Sequence, residues 1–119
     1  MPDLRDLAEE SFCYLMTTGR VTGRPHEIEI WFALVPERRA LYMLSGGRDR
    51  SDWVKNLRRD PDVEVSIAGE HYSGRAREAR DAEEDELARR LLVEKYEHNP
   101  GSLESWRRRA LPVVVDLTL

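Results

Sequence analysis

Two Gly-Arg pairs, Gly19-Arg20 and Gly23-Arg24, stand close together in the segment Leu15 to Pro25, LMTTGRVTGRP. A bend needs only the glycines; guanidinium forks beside them match the oxygens of phosphate or carboxylate. Ser45-Gly46-Gly47-Arg48 repeats the combination ahead of a helix predicted to begin near Asp49, where free amides at a helix start favour negative charge. Two such loops on neighbouring strand ends would clamp one anionic ligand. Gly-Arg repeats also occur in ordinary hairpin turns, and neither loop matches a P-loop or the G-x-G-x-x-G fingerprint, so the spacing leaves both readings open.

Other catalytic constellations are missing. His26, His71 and His98 are widely separated and lack a partnering cysteine or a paired-histidine motif, which argues against a zinc site. No serine occupies a G-x-S-x-G elbow, and Cys13, in SFCYLM, reads as a small buried hydrophobe. The carboxylates from Glu83 to Glu86 belong to an exposed helix face and make poor glycosidase candidates. An enzyme with this inventory leaves the difficult step to a cofactor. Trp31, Trp53 and Trp106 read as core aromatics of large buried area, Trp53 being the exception because it adjoins the glycine loop.

The elements that must position these groups fit one domain, residues 1–119, because two domains would each be too small to bury a core. A net charge of −4 argues against a general nucleic-acid binder. The basic runs Arg58-Arg59 and Arg107-Arg108-Arg109 read as helix ends, where arginine favours the dipole. With Cys13 the only cysteine, no intrachain disulfide is possible, and no apolar run approaches the length of a membrane span. A reducing, cytoplasmic setting is expected.

Leu4 to Glu10 is predicted as a short amphipathic helix and Phe12 to Met16 as a strand. His26 to Leu34 alternates cleanly, with Ile28, Ile30, Phe32 and Leu34 on one face and Glu27, Glu29, Trp31 and Ala33 on the other, which predicts one long strand. Pro36 to Arg39 reads as a turn into a strand from Ala40 to Ser45, followed by a helix ended by Asp60-Pro61. Val63, Val65 and Ile67 open a second hairpin that returns from His71 to Ala79. Asp81 to Glu84 is a capping-box pattern for a helix burying Leu87, Ala88, Leu91, Leu92 and Tyr96, with Asp85–Arg89 and Glu86–Arg90 spaced for ion pairs. A helical turn from Leu103 to Arg108 then leads to Val113-Val114-Val115, a run predicted to be buried on both faces. The expected class is mainly β with helical additions, a small barrel of about six antiparallel strands.

Taken in order, TTGRVTGRP, EIEIWF, LSGG, DWVKNLRRDPDV and SW…LPVVV resemble the deazaflavin-dependent nitroreductase and quinone reductase family over Leu15 to Val115. The resemblance implies a split β-barrel related to pyridoxamine-phosphate oxidases, often a homodimer, that binds coenzyme F(420), an 8-hydroxy-5-deazaflavin. It implies hydride transfer from the reduced coenzyme to a small acceptor such as a quinone, a nitroaromatic or an activated alkene. A flavin mononucleotide protein on the same barrel and a non-catalytic deazaflavin carrier are the alternatives.

Carried over by position, the resemblance makes Arg20, Val21, Thr22, Gly23 and Arg24 the tail-binding loop, approached through His26, Glu27, Ile28, Glu29, Ile30 and Trp31. Met43, Leu44, Ser45 and Gly46, continued by Gly47 and Arg48, line the ring side, with Ser45 offering a hydrogen bond near the reacting edge. Asp52, Trp53, Val54, Lys55 and Asn56 complete the pocket from the helix, Trp53 packing near the ring and Asn56 tying helix to loop. On the acceptor side, Tyr96, Pro100 and Leu103 fall near the places of the family's tyrosines. Departures from the pattern are Val21 for a basic residue, His26 for an arginine, and the missing lysine between Ser45 and Gly46; Arg24 and Arg48 are placed to restore the charge.

Overall fold

The alternation of Ile28, Ile30, Phe32 and Leu34 is real, since all four pack toward one interior cluster, but they do not form one strand. In the computed structural model, which describes residues 3–118, β1 (Cys13–Thr18), β2 (Pro25–Ile30), β3 (Ala33–Val35), β4 (Ala40–Ser45), β5 (Asp62–Ile67), β6 (Glu70–Glu78) and β7 (Leu111–Thr118) make a seven-stranded sheet. The helices are α1 (Leu4–Leu7), α2 (Asp52–Arg59), α3 (Ala82–Tyr96) and α4 (Glu104–Arg109). The strand order is β2-β1-β5-β6-β7-β4-β3, and every neighbouring pair is antiparallel.

Strands β2 and β3 lie at opposite ends of that order, yet only residues 31–32 separate them in the chain. The two sheet edges must therefore come together, and the sheet curls into a split barrel. Seven strands replace the six expected because the predicted strand from His26 to Leu34 breaks at this link. Side chains from α3 take over the backbone bonding there. The Phe32 N–H donates to the Tyr96 hydroxyl (3.0 Å), and Lys95 Nζ donates to the Phe32 carbonyl (2.9 Å).

Two apolar clusters sit on the two faces of the sheet. Leu15, Phe32, Leu41, Met43, Val65 and Val113 belong to the barrel interior, while Tyr42, Leu44, Val114, Ala88 and Leu92 pack between β4, β7 and α3. This explains the uninterrupted valines: Val113 and Val115 face the interior, and Val114 faces the helix. Cys13 is fully buried, and loss of hydration on burial pushes its thiol up to about 12, with a smaller opposing influence from Lys95.

The start of α3 is fixed by a cap and an ion-pair network. Asp81 Oδ1 accepts the Glu84 N–H (2.9 Å), and the Glu84 carboxylate reaches back to the Arg80 N–H (2.8 Å). Arg77 on β6 donates to both Glu84 oxygens and also to Asp116 on β7. Asp85–Arg89 pairs as predicted at 2.6 Å. Glu86 instead meets Arg107 on α4, and Arg90 turns to Glu94, because α4 lies against this face of α3.

The first helix ends at Leu7, short of Glu10. The turn expected at Pro36 to Arg39 is present and joins β3 to β4, with Pro36–Arg38 a 3-10 turn closed by Arg39 in the left-handed region (φ 52°). Arg48–Arg50 is also a 3-10 turn, so α2 begins at Asp52 with Ser51 as its N-cap.

Candidate functional site

The loop between β1 and β2 closes on itself. The Gly19 N–H donates to the Arg24 carbonyl (2.7 Å), the Gly23 N–H to the Gly19 carbonyl (2.9 Å) and the Arg24 N–H to Thr22 Oγ1 (3.3 Å). A Cβ on Gly19 would stand 2.7 Å from the His26 ring and 2.9 Å from the Arg24 carbonyl, so only glycine lets the loop fold this tightly. The amides of Gly19, Gly23 and Arg24 are therefore taken up within the loop, and the Arg20 and Arg24 guanidinium groups are the charged donors it presents.

Arg20 is held in place by α2. Its Nη1 donates to Asn56 Oδ1 (2.8 Å), its Nη2 to Asp52 Oδ1 (3.1 Å), and its backbone N–H to the same Asn56 oxygen (3.2 Å). Asn56, buried, completes its set by donating Nδ2–H to Thr17 Oγ1 (3.2 Å). One amide thus joins strand, loop and helix. Arg20, Val21, Thr22, Arg24, His26 and Asp52 line an open cavity of about 480 Å³ around this tie, whose lining holds two arginines and one carboxylate, that of Asp52 paired with Arg20.

At the other end of β2 lies a different cavity. Glu29, Ile30, Trp31, Leu44, Leu103 and Trp106 line an open cavity of about 500 Å³. Trp31 lies flat on the Tyr96 ring, 4.3 Å between centroids, and meets Trp106 edge to face at 5.7 Å. Trp31 remains 42% exposed. Gly46 sits beneath Trp106, where a Cβ would lie 3.6 Å from the indole.

The structure thus groups the predicted residues at two ends of one strand and removes several from any lining role. Met43 and Val54 have no exposed surface and belong to the barrel core. Ser45 is also buried; its hydroxyl donates to the Arg48 carbonyl (2.9 Å) and shares a bond with Ser51 Oγ (2.9 Å), so it shapes the turn before α2. Ser51, so engaged, gives α2 no side-chain cap. Arg48 does not replace the missing lysine: its guanidinium donates to the Arg109 carbonyl at the end of α4 (2.5 Å).

Ile28 packs inward, and Trp53 is partly buried against the same core. Gly47, Lys55, Glu27 and Pro100 are exposed and line neither cavity. The Tyr96 hydroxyl is engaged at the barrel seam, and burial pushes it up to about 12; its role is to back Trp31. Trp106 is the member that sequence reading placed in the core. Its signal was the spacing from Leu103, which puts both side chains on one helix face.

Among the described residues, no group of three or more His, Cys, Asp or Glu side chains is arranged to hold a metal ion. No helix among them is long and apolar enough to cross a membrane.

A curled antiparallel sheet with a cavity at each end of β2 defines a split-barrel protein of the pyridoxamine-phosphate-oxidase-like kind. Within that class the family model described as F(420)H(2)-dependent quinone reductase matches residues 5–118, and the chain belongs to that family. The family is one of F(420)-dependent oxidoreductases and lends no support to the flavin mononucleotide alternative.

Solved structures share the fold at low identity. A conserved hypothetical protein from Mycobacterium tuberculosis superposes with a TM-score of 0.78 at 18% identity, over 100% of this chain and 82% of that one. A protein assigned as a pyridoxamine 5'-phosphate oxidase from Listeria innocua gives 0.72 at 16%, over 98% and 90%. An F(420) reductase gives 0.68 at 19%, over 97% and 93%.

Proposed function

We propose that residues 1–119 form one coenzyme-binding domain of a reductase that takes hydride from reduced F(420) to a planar unsaturated acceptor, a quinone, a nitroaromatic or an activated alkene. The observation that carries this reading is the pairing of a basic cavity at Pro25–His26 with an aromatic one at Glu29–Trp31. Five residue-to-residue steps lead from His26 to Trp31, roughly 16 Å at about 3.3 Å each.

Arg20 and Arg24 are suited to charge-assisted bonds with an anionic tail, and Asn56 prepays the ordering of Arg20. The donor set fits the group. When bound, the coenzyme supplies a hydride, which with a proton from solvent completes a two-electron reduction of the acceptor. Leu44, Trp31 and Trp106 offer apolar and aromatic surface on which a flat acceptor can be oriented.

We also propose that the chain works as a homodimer in the cytoplasm. Exposed Phe12 and Tyr14 provide apolar surface at the start of β1, and one solved relative at 22% identity is described as a domain-swapped dimer. Sedimentation of the purified protein at micromolar concentration tests the dimer.

For the reaction, reduced F(420) is mixed with the protein and a panel of quinones and nitroaromatics, and coenzyme reoxidation is followed by absorbance. Turnover against at least one acceptor supports the reductase. Tight coenzyme binding without turnover anywhere in the panel would favour the carrier.

A further inference from the structure

The lining of the aromatic cavity carries one charge, that of Glu29. The other lining residues, Ile30, Trp31, Leu44, Leu103 and Trp106, carry no charge. We propose that this cavity selects planar acceptors that are uncharged or carry a cationic arm, and rejects those bearing a carboxylate or sulfonate, with Glu29 as the specificity-determining residue. This rests on the reading of the cavity as the acceptor site.

Among the described residues Glu29 forms no salt bridge. Its one side-chain partner is the Tyr14 hydroxyl, a neutral donor at 3.4 Å. Tyr14 and Glu29 are directly paired across β1 and β2, as are Met16 and Glu27, so the flanking carboxylate of Glu27 adds to the negative field. Arg48 donates to the Arg109 carbonyl and Lys95 to the Phe32 carbonyl, and neither forms an ion pair with Glu29.

The aromatic groups reinforce the same choice, because indole faces attract cations and Trp31 and Trp106 both line the cavity. The two cavities on β2 are therefore opposite in sign. An anion is drawn to the Arg20 and Arg24 end and held off the Glu29 end, which sorts coenzyme tail from acceptor along a single strand.

Three naphthoquinones test this, alike except for a neutral, a quaternary ammonium or a sulfonate arm. Dissociation constants are measured by calorimetry on wild type and Glu29→Gln, each saturated with oxidised F(420), and KM values are taken from turnover. The expected result is that wild type prefers the ammonium compound over the sulfonate by about tenfold, and that the ratio shrinks toward unity in concentrated salt.

In Glu29→Gln the ratio is expected to fall to about twofold. An unchanged ratio in that variant, or a wild-type preference for the sulfonate, overturns the proposal. Trp106→Ala separates this from the parent reading. If it binds the neutral quinone as wild type does, the acceptor lies elsewhere and the reading of the cavity fails, whatever Glu29 does.

Discussion

Trp31 lies parallel to Tyr96, with planes within 3° and centroids 4.3 Å apart, and the Tyr96 hydroxyl bonds the backbone of the very next residue, Phe32. One side chain at the end of α3 thus fixes both the floor of the aromatic cavity and the seam of the barrel. Tyr96→Phe keeps the stacking ring but leaves the buried Phe32 N–H without its acceptor. Urea unfolding should show a loss of about 1 to 3 kcal/mol, with a change in the near-ultraviolet circular dichroism of Trp31.

Asn56 is expected to couple stability to ligand affinity, because its amide holds Thr17 and Arg20 together. Asn56→Ala should lower stability by about 1 to 3 kcal/mol and weaken F(420) binding in the same protein. Gly19→Ala separates the two effects. Its added Cβ collides with the His26 ring and the Arg24 carbonyl at the loop alone, so coenzyme titration should show weakened binding with a smaller loss of thermal stability.

Acid stability should depend on Glu84. The Arg77 guanidinium, together with the Arg80 N–H, holds its carboxyl down to about 2 against burial, which opposes this. A folded-state value below the ordinary 4.5 means that the pair contributes fully above about 4.5 and that its contribution is lost as pH falls toward about 2. Wild type should therefore lose urea resistance across that window. Glu84→Gln should be less stable near neutrality and show a shallower decline, which a series of urea midpoints against pH will reveal.

Cys13 should be inert in the folded protein, since burial both shields the thiol and suppresses its thiolate. Iodoacetamide at mildly alkaline pH should label it only after denaturant is added. Labelling of the native protein at the rate of a free thiol would show that β1 opens locally.

Much of the fold was legible because it depends on local pattern. The strand from Ala40 to Ser45 and the cap at Asp81 need only neighbouring residues to be recognised, and both occur as predicted. The break after Trp31 was hidden because the alternation continues through it, and what ends the strand is a hydroxyl and an ammonium 63 to 64 positions away. Long-range partners also decide the site. Ser45 and Arg48 have the residue types of ligand-binding groups, yet Ser51 and the Arg109 carbonyl claim them. Arg20 with Asn56 was readable from the family resemblance, whereas the aromatic cavity required α4 to bring Trp106 over β4.

The central claim is that the guanidinium groups of the β1–β2 loop grip the anionic part of F(420), and titration of coenzyme fluorescence with protein measures it most directly. Wild type should quench saturably, and the Arg20→Ala, Arg24→Ala double variant should bind at least roughly a hundredfold more weakly, from about 1.5 to 3 kcal/mol per charged bond lost. Equal affinity in the two proteins, with both folded by circular dichroism, would contradict the account.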